Sequence, residues 1–159
     1  MNQVWSTYTG EEKNAVARDI AKLIVEMTEI NFDGIGGLTL AHKLGPTVEG
    51  VKLFKGRDTF HSPSCYDIGP YFSTRAYILA CYDKEIYYHA HAPEADVDME
   101  LFEETSKSAF IESLKATRDA LTASPTTGLP EQPFVLAHGD FHGRNIMTNE
   151  NKQISAILD

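Results

Sequence analysis

The feature that most constrains this chain is the polar loop His138-Gly139-Asp140-Phe141-His142-Gly143-Arg144-Asn145, which lies between short apolar runs near the C-terminal end. Residues 134–137 form the run before the loop. Residues 145–148 and 153–158 form two more runs, and they flank the turn-forming sequence Asn149-Glu150-Asn151-Lys152. Short apolar runs bounded by turn residues are typical of strands. The pattern therefore predicts a strand, a polar loop and a hairpin followed by Asp159.

The first amphipathic helix is predicted after the sequence Thr9-Gly10-Glu11-Glu12, which has the form of a capping box. Apolar residues then recur at helical spacing until Asn31 and Gly34, where we expect the helix to have ended. This apolar stripe consists of Val16, Ile20, Leu23, Ile24, Met27 and Ile30.

Two more helices follow from the same periodicity. The second is capped by Ser73 or Thr74 and runs to about His89, and the third follows the acidic segment 94–104 and is closed by the prolines from Pro125 onwards. Their apolar residues are Tyr77, Ile78, Cys81, Tyr82, Ile86 and Tyr88 in the second helix, and Phe110, Ile111, Leu114 and Leu121 in the third.

Between the first two helices, residues 31–72 hold too many glycines and prolines for a long regular element, and we predict an extended connection there. With 159 residues, the chain has the size of one domain spanning 1–159. The prediction is a mainly helical α+β fold in which the three apolar stripes form one core and a short hairpin carries the polar loop.

Charge and cysteine content limit the partners. The net charge of −9 disfavours nucleic acid and anionic membranes and favours a cationic ligand. Cys65 and Cys81 are too few for a disulfide framework, and no stretch approaches the roughly 20 apolar residues of a membrane span. These features predict a cytoplasmic protein.

The polar loop and the ending Ile157-Leu158-Asp159 resemble the H-G-D-x-x-x-x-N catalytic loop and the I-x-D metal motif of aminoglycoside phosphotransferases and choline-kinase-like enzymes. The resemblance extends more loosely over residues 5–159. It implies the C-terminal lobe of a protein-kinase-like fold. It also implies transfer of the γ-phosphate of ATP to a hydroxyl of a small molecule, with ATP and Mg²⁺ as cofactors.

The chemistry of phosphoryl transfer assigns roles to these residues. A carboxylate must orient the acceptor hydroxyl and take its proton, and Asp140 is the candidate. Mg²⁺ prefers hard oxygen ligands, which Asn145 and Asp159 would supply. The resemblance implies a structural role for His138 within the loop, and contacts from His142 or Arg144 to the γ-phosphate.

Two departures from the kinase pattern shape the expected activity. Gly139 replaces the arginine that pairs with a phosphorylated activation loop in protein kinases, which favours small-molecule substrates. A glycine-rich nucleotide loop and a strand lysine are not recognised, since Gly34-Ile35-Gly36-Gly37 lacks the required spacing. We therefore expect a lobe that is truncated after Asp159, incomplete or inactive alone, and dependent on an N-terminal lobe or another chain.

Other interpretations stay open at this point. His138, Asp140 and His142 could hold zinc or iron in a hydrolase, or the chain could be a non-catalytic pseudo-kinase remnant or binding domain. For His89 and His91 a solvated helix end is favoured over metal binding. The acidic segment 94–104 is interpreted as a solvated linker in preference to an antibiotic-binding surface.

Overall fold

The computed structural model describes residues 4–48, 57–93, 106–124 and 133–158. The chain divides into two compact units, one formed by Met1–Phe32 with Val135–Asp159 and the other by Asp33–Phe134. Within the described residues it contains three α-helices and three two-stranded sheets, so the predicted α+β class is confirmed. No helix among these residues is long and apolar enough to cross a bilayer.

Helix α1 (Gly10–Thr28) belongs to the first unit and begins at the predicted capping box. The Glu12 N–H donates to the Thr9 hydroxyl at 3.3 Å, and the Thr9 N–H donates to the Glu12 carboxylate at 2.7 Å. These two bonds satisfy backbone amides that a helix start leaves without helical partners. Only part of the apolar stripe is buried: Val16 is 1% exposed, whereas Ile24 is 45% exposed.

Helices α2 (Thr74–His91) and α3 (Lys107–Ala123) pack against each other in the second unit. The side chain of Ser73 caps α2 as predicted. The Arg118 Nε donates to the Asp83 carboxylate at 3.0 Å. The Arg75 guanidinium, at the start of α2, donates to the Leu121 carbonyl at 2.6 Å and so satisfies one of the last carbonyls of α3.

The distribution of the helices differs from the single three-helix core that the sequence predicted. Helix α1 belongs to the unit that holds the C-terminal hairpin, while α2 and α3 pair with each other in the second unit. Helical periodicity identifies an apolar face but not its partner, which is why the sequence could not separate these two cases.

The prediction of a solvated helix end was wrong for His89. Its side chain is 2% exposed, and its ring meets the ring of Phe110 edge-on at 5.1 Å. His89 also lies 3.5 Å from the carboxylate of Glu85, one helical turn earlier. His91 is exposed as predicted and stacks on the ring of Tyr87. Segment 94–104 lies outside the described residues.

The predicted extended connection is confirmed in the parts of 31–72 that the structure describes. Strands β1 (Asn31–Phe32), β2 (Gly37–Leu38) and β3 (Leu44–Gly45) are two residues long, and a short 3₁₀ helix spans Arg57–Phe60. Strands β2 and β3 pair antiparallel. Strand β1 pairs with β4 (Phe134–Val135), the strand predicted before the polar loop.

Glycine is required at Gly36 by the close approach of backbone segments. A Cβ added there would clash with the carbonyl oxygen of Gly45 and would lie 3.3 Å from Pro70. At Gly139 an added Cβ would meet no described atom within 4 Å. We expect Gly36→Ala to lower the free energy of unfolding by about 2–3 kcal/mol, the usual cost of overpacking.

Urea denaturation of the two variants measures this difference. Gly139→Ala is the matched control, and its free energy of unfolding should stay within about 0.5 kcal/mol of the wild type, as for a surface substitution. Equal unfolding midpoints for the two variants would contradict the close packing at Gly36.

Candidate functional site

The C-terminal hairpin consists of β5 (Ile146–Thr148) and β6 (Ile154–Ile157), which pair antiparallel with an irregularity between Met147 and Thr148. The predicted hairpin is therefore confirmed. The turn at its far end is closed by Asn149, whose side-chain oxygen accepts from the Gln153 N–H at 3.0 Å. At the near end, the Leu158 N–H donates to the Asn145 carbonyl at 2.8 Å. The hairpin thus begins at the last residue of the polar loop.

Asp140 and Asn145 are brought together by the polar loop. The Asn145 Nδ2 donates to the backbone carbonyl and to the Oδ2 of Asp140, both at 3.0 Å. Because both partners accept, the amide nitrogen must face Asp140, and planar amide geometry turns the amide oxygen away from it. The Asp140 side chain is 60% exposed. The loop therefore presents a carboxylate to solvent in a fixed orientation.

Both ring nitrogens of His138 are engaged by the backbone. The Asp140 N–H donates to Nδ1 at 3.2 Å, so the ring proton sits on Nε2, which lies 3.2 Å from the carbonyl oxygen of Leu158 and donates to it. The ring of Phe141 packs edge-on against His138 at 5.5 Å. His138 thus connects the loop to the residue that follows β6.

His142 contacts the carboxylate of Asp140, a contact that the sequence analysis missed. The Arg144 N–H donates to Nδ1 of His142 at 3.1 Å. Nε2 of the same ring lies 3.2 Å from Oδ2 of Asp140 and 3.4 Å from the Arg144 guanidinium. The spacing of two residues in a turn could have suggested the contact, but the direction of a loop side chain is not encoded by spacing alone.

The donor chemistry of the loop fits Mg²⁺. Asn145 offers an amide oxygen directed away from Asp140, and Asp140 offers an exposed carboxylate, both of which are hard oxygen ligands. Asp159, the second predicted ligand, lies outside the described residues. It directly follows Leu158, whose N–H and carbonyl are both bonded to the loop.

The hydrolase interpretation finds no support in this geometry. Zinc or iron needs a free nitrogen lone pair on each histidine ligand, yet the lone pair of His138 accepts from the Asp140 N–H and that of His142 accepts from the Arg144 N–H. Across the described ranges, no three His, Cys, Asp or Glu side chains form a group that could hold a metal.

The fold and the loop together define an α+β protein in which an exposed aspartate is oriented by an asparagine five residues later. A model of the family described as APH, phosphotransferase enzyme family, matches residues 7–159. The chain belongs to this phosphotransferase family, as the polar loop predicted. No curated protein and no solved structure matches it.

Proposed function

We propose that this protein transfers the γ-phosphate of ATP to a hydroxyl of a small molecule, with Asp140 as the catalytic base. The observation that carries the proposal is the exposed Asp140 carboxylate held by Asn145 within a family of phosphotransferases. Membership in the family supports the reaction class, and the loop geometry supports the assignment of residues.

The hydrogen bonds around Asp140 suit a base that orients a hydroxyl. Asn145 donates to Oδ2, and Nε2 of His142 lies 3.2 Å from the same oxygen. Oδ1 is therefore the oxygen proposed to accept from the substrate hydroxyl and to take its proton. The hydroxyl oxygen would bond to the γ-phosphorus while the bond from that phosphorus to the bridging oxygen breaks and ADP leaves. Holding the carboxylate in one orientation matters because phosphoryl transfer depends mainly on positioning.

Asn145 and Asp159 are proposed to hold Mg²⁺ with the phosphates of ATP. The bound ion would neutralise charge that develops on the phosphates. The amide oxygen of Asn145 already faces away from Asp140, so coordination would leave the bond from Nδ2 to Asp140 intact. The same asparagine would then link the position of the ion to the position of the base.

His142 and Arg144 are given different roles. His142 lies 3.2 Å from the Asp140 carboxylate, so we propose that it orients the base instead of contacting phosphate. Arg144 is exposed, and its guanidinium lies 3.4 Å from Nε2 of His142. Arg144 is therefore the candidate for the γ-phosphate contact, where a fixed positive charge stabilises the transferring group.

The substrate is proposed to be a small, cationic molecule with a hydroxyl. The net charge of −9 attracts cations, and the open surface at Gly139 offers no arginine to pair with a phosphorylated loop. We place the chain in the cytoplasm, where ATP and reduced cysteines are found. We further propose that it acts as a C-terminal lobe, with the nucleotide loop and lysine supplied by an N-terminal lobe or another chain.

A substrate panel tests this function. Residues 1–159 are incubated with ATP and Mg²⁺ and with aminoglycosides, choline, other amino alcohols or a protein substrate. Alone, the chain should turn over well below the 1 to 100 per second that is typical of kinases, since no recognised motif clamps the α- and β-phosphates.

Adding an N-terminal lobe of the same family in trans should raise phosphorylation of a cationic hydroxyl compound. Phosphorylation of the protein substrate alone would refute the small-molecule assignment. Rapid turnover by residues 1–159 alone would instead show that the chain already positions the nucleotide.

A further inference from the structure

A hydrogen bond joins the turn of the C-terminal hairpin to the start of α1, although its two residues lie 140 positions apart in sequence. The Lys152 Nζ, in the turn between β5 and β6, donates to Oε1 of Glu12 at 2.6 Å. The other oxygen of the same carboxylate accepts from the Thr9 N–H and completes the capping box. One carboxylate therefore joins the first turn of α1 to the tip of the hairpin.

Tyr8 makes a second connection at the same place. Its hydroxyl lies 2.8 Å from the Thr148 hydroxyl at the end of β5, and the Lys152 ammonium lies 5.1 Å from the centre of its ring. The Tyr8 side chain is buried. Lys152 is thus placed between a carboxylate and an aromatic face, both of which attract an ammonium group.

Lys152 has a backbone conformation that is uncommon for a residue with a side chain, in a turn where its N–H donates to the Asn149 carbonyl at 2.9 Å. Its φ is +63°, in the left-handed region where glycine or asparagine is usually found. Glycine would remove the strain, but it would also remove the ammonium that reaches Glu12 and Tyr8. The surrounding contacts must therefore hold the residue in this conformation.

A hairpin of two short strands is only marginally stable by itself in water. From this and the contacts above we infer that Tyr8, Glu12 and Lys152 form a turn latch that positions Asn145, a proposed Mg²⁺ ligand, through the hairpin. The inference rests on the proposed function. The three latch residues are positioning residues because they lie at the turn, whereas Asn145 lies at the opposite end of β5.

The hairpin provides the mechanical link. Ile146 pairs with Ile157, and the bond from Leu158 to Asn145 closes the ladder beside the loop. If the turn is released, fraying of the ladder frees Leu158, which also accepts the hydrogen bond from His138. Asn145 then loses its fixed position relative to Asp140, and the amide oxygen is no longer presented to the ion in one orientation.

Two substitutions isolate the latch. Glu12→Gln keeps an acceptor for the Thr9 N–H, and so keeps the capping box, but removes the charge that Lys152 contacts. Lys152→Met keeps the apolar stem and removes the ammonium. The matched controls are Glu11→Gln, in the same helical turn, and Lys115→Met, which removes an ion pair with Glu112 on α3.

Amide hydrogen exchange measured by NMR on the intact chain reports on the hairpin. Each latch variant should accelerate exchange of the Leu158 N–H about tenfold, the effect of losing one charge-assisted hydrogen bond on local opening. The controls should leave this rate unchanged, and Lys152→Arg should restore it. An unchanged exchange rate of the Leu158 N–H in both latch variants overturns the inference. If one variant loses protection throughout the chain because it unfolds, the other variant provides the test.

Mn²⁺ binding, followed by electron paramagnetic resonance, separates positioning from simple stabilisation. The dissociation constant for Mn²⁺ should rise about tenfold in the latch variants, as for substitutions that orient a metal ligand indirectly. Faster exchange with unchanged Mn²⁺ affinity would reduce the latch to a structural contact and overturn its positioning role. The proposed function itself would be contradicted by a different result, namely phosphotransfer by the Asp140→Asn variant at the wild-type rate.

The latch also has a predicted pH dependence. The hydrogen bond from Lys152, followed by that from the Thr9 N–H, lowers the pKa of Glu12 from 4.5 to about 2. A lowered carboxyl pKa stabilises the fold above the unfolded value and loses that contribution as pH falls. The exchange difference between wild type and Glu12→Gln should therefore persist above about pH 4.5 and vanish towards pH 2.

Discussion

Replacing Asp140 by asparagine is expected to lower the rate of phosphotransfer by about 10²- to 10⁴-fold, the usual contribution of general base catalysis. Asparagine has nearly the shape of aspartate and can still accept a hydrogen bond, so the loop should keep its structure. It cannot take the proton of the acceptor hydroxyl at neutral pH. The loss should therefore appear in kcat, while the KM for ATP changes little.

The measurement uses the acceptor and the lobe combination that give turnover in the substrate panel. Asp119→Asn is the matched control, because Asp119 is an exposed carboxylate on α3 and its replacement makes the same change of charge. This control should keep wild-type kcat. Equal kcat for Asp140→Asn and wild type would show that Asp140 is not the base and that the reaction proceeds without its carboxylate.

Truncation of Ile146 to alanine is expected to lower the free energy of unfolding by about 2–5 kcal/mol, the range for removing a large aliphatic side chain from a core. The Ile146 side chain is 2% exposed, whereas that of Met147, the next residue in β5, is 48% exposed. Successive residues of a strand point to opposite faces, so this pair compares a buried and an open position on one element.

Urea denaturation of Ile146→Ala and Met147→Ala tests this prediction. Met147→Ala should cost less than about 1 kcal/mol, because little area is removed from contact. Ile146 also directly follows Asn145, so its truncation should weaken Mn²⁺ binding together with stability. Similar losses in the two variants would show that the strand does not bury the face on which Ile146 lies.

Much of the local structure could be predicted from the sequence. The capping box at Thr9, the cap at Ser73, the three helices and the turn between β5 and β6 follow from side chains that bond to nearby backbone groups. Such interactions span three or four residues and are therefore visible as short patterns. The spacing of Asp140 and Asn145 was equally informative, because both belong to one loop.

Burial and long-range contacts could not be predicted in the same way. His89 was interpreted as solvated because it lies near a helix end, yet α3 covers it through Phe110. His142 was proposed, together with Arg144, for a phosphate contact, and the sequence did not predict that its ring lies 3.2 Å from the Asp140 carboxylate. In both cases the contact depends on the orientation of the histidine side chain. That orientation is set by packing and by loop dihedral angles, and residue spacing does not encode it.

The sequence by itself determined the family, since the polar loop resembles the catalytic loop of phosphotransferases and the model of that family matches residues 7–159. It also determined which segments become helices and hairpin, because those patterns are local. Only the tertiary structure decided what holds the hairpin in place. The contacts of Tyr8 and Glu12 with Thr148 and Lys152 join residues 140 positions apart, and no local pattern encodes a pairing that arises when the chain folds back on itself.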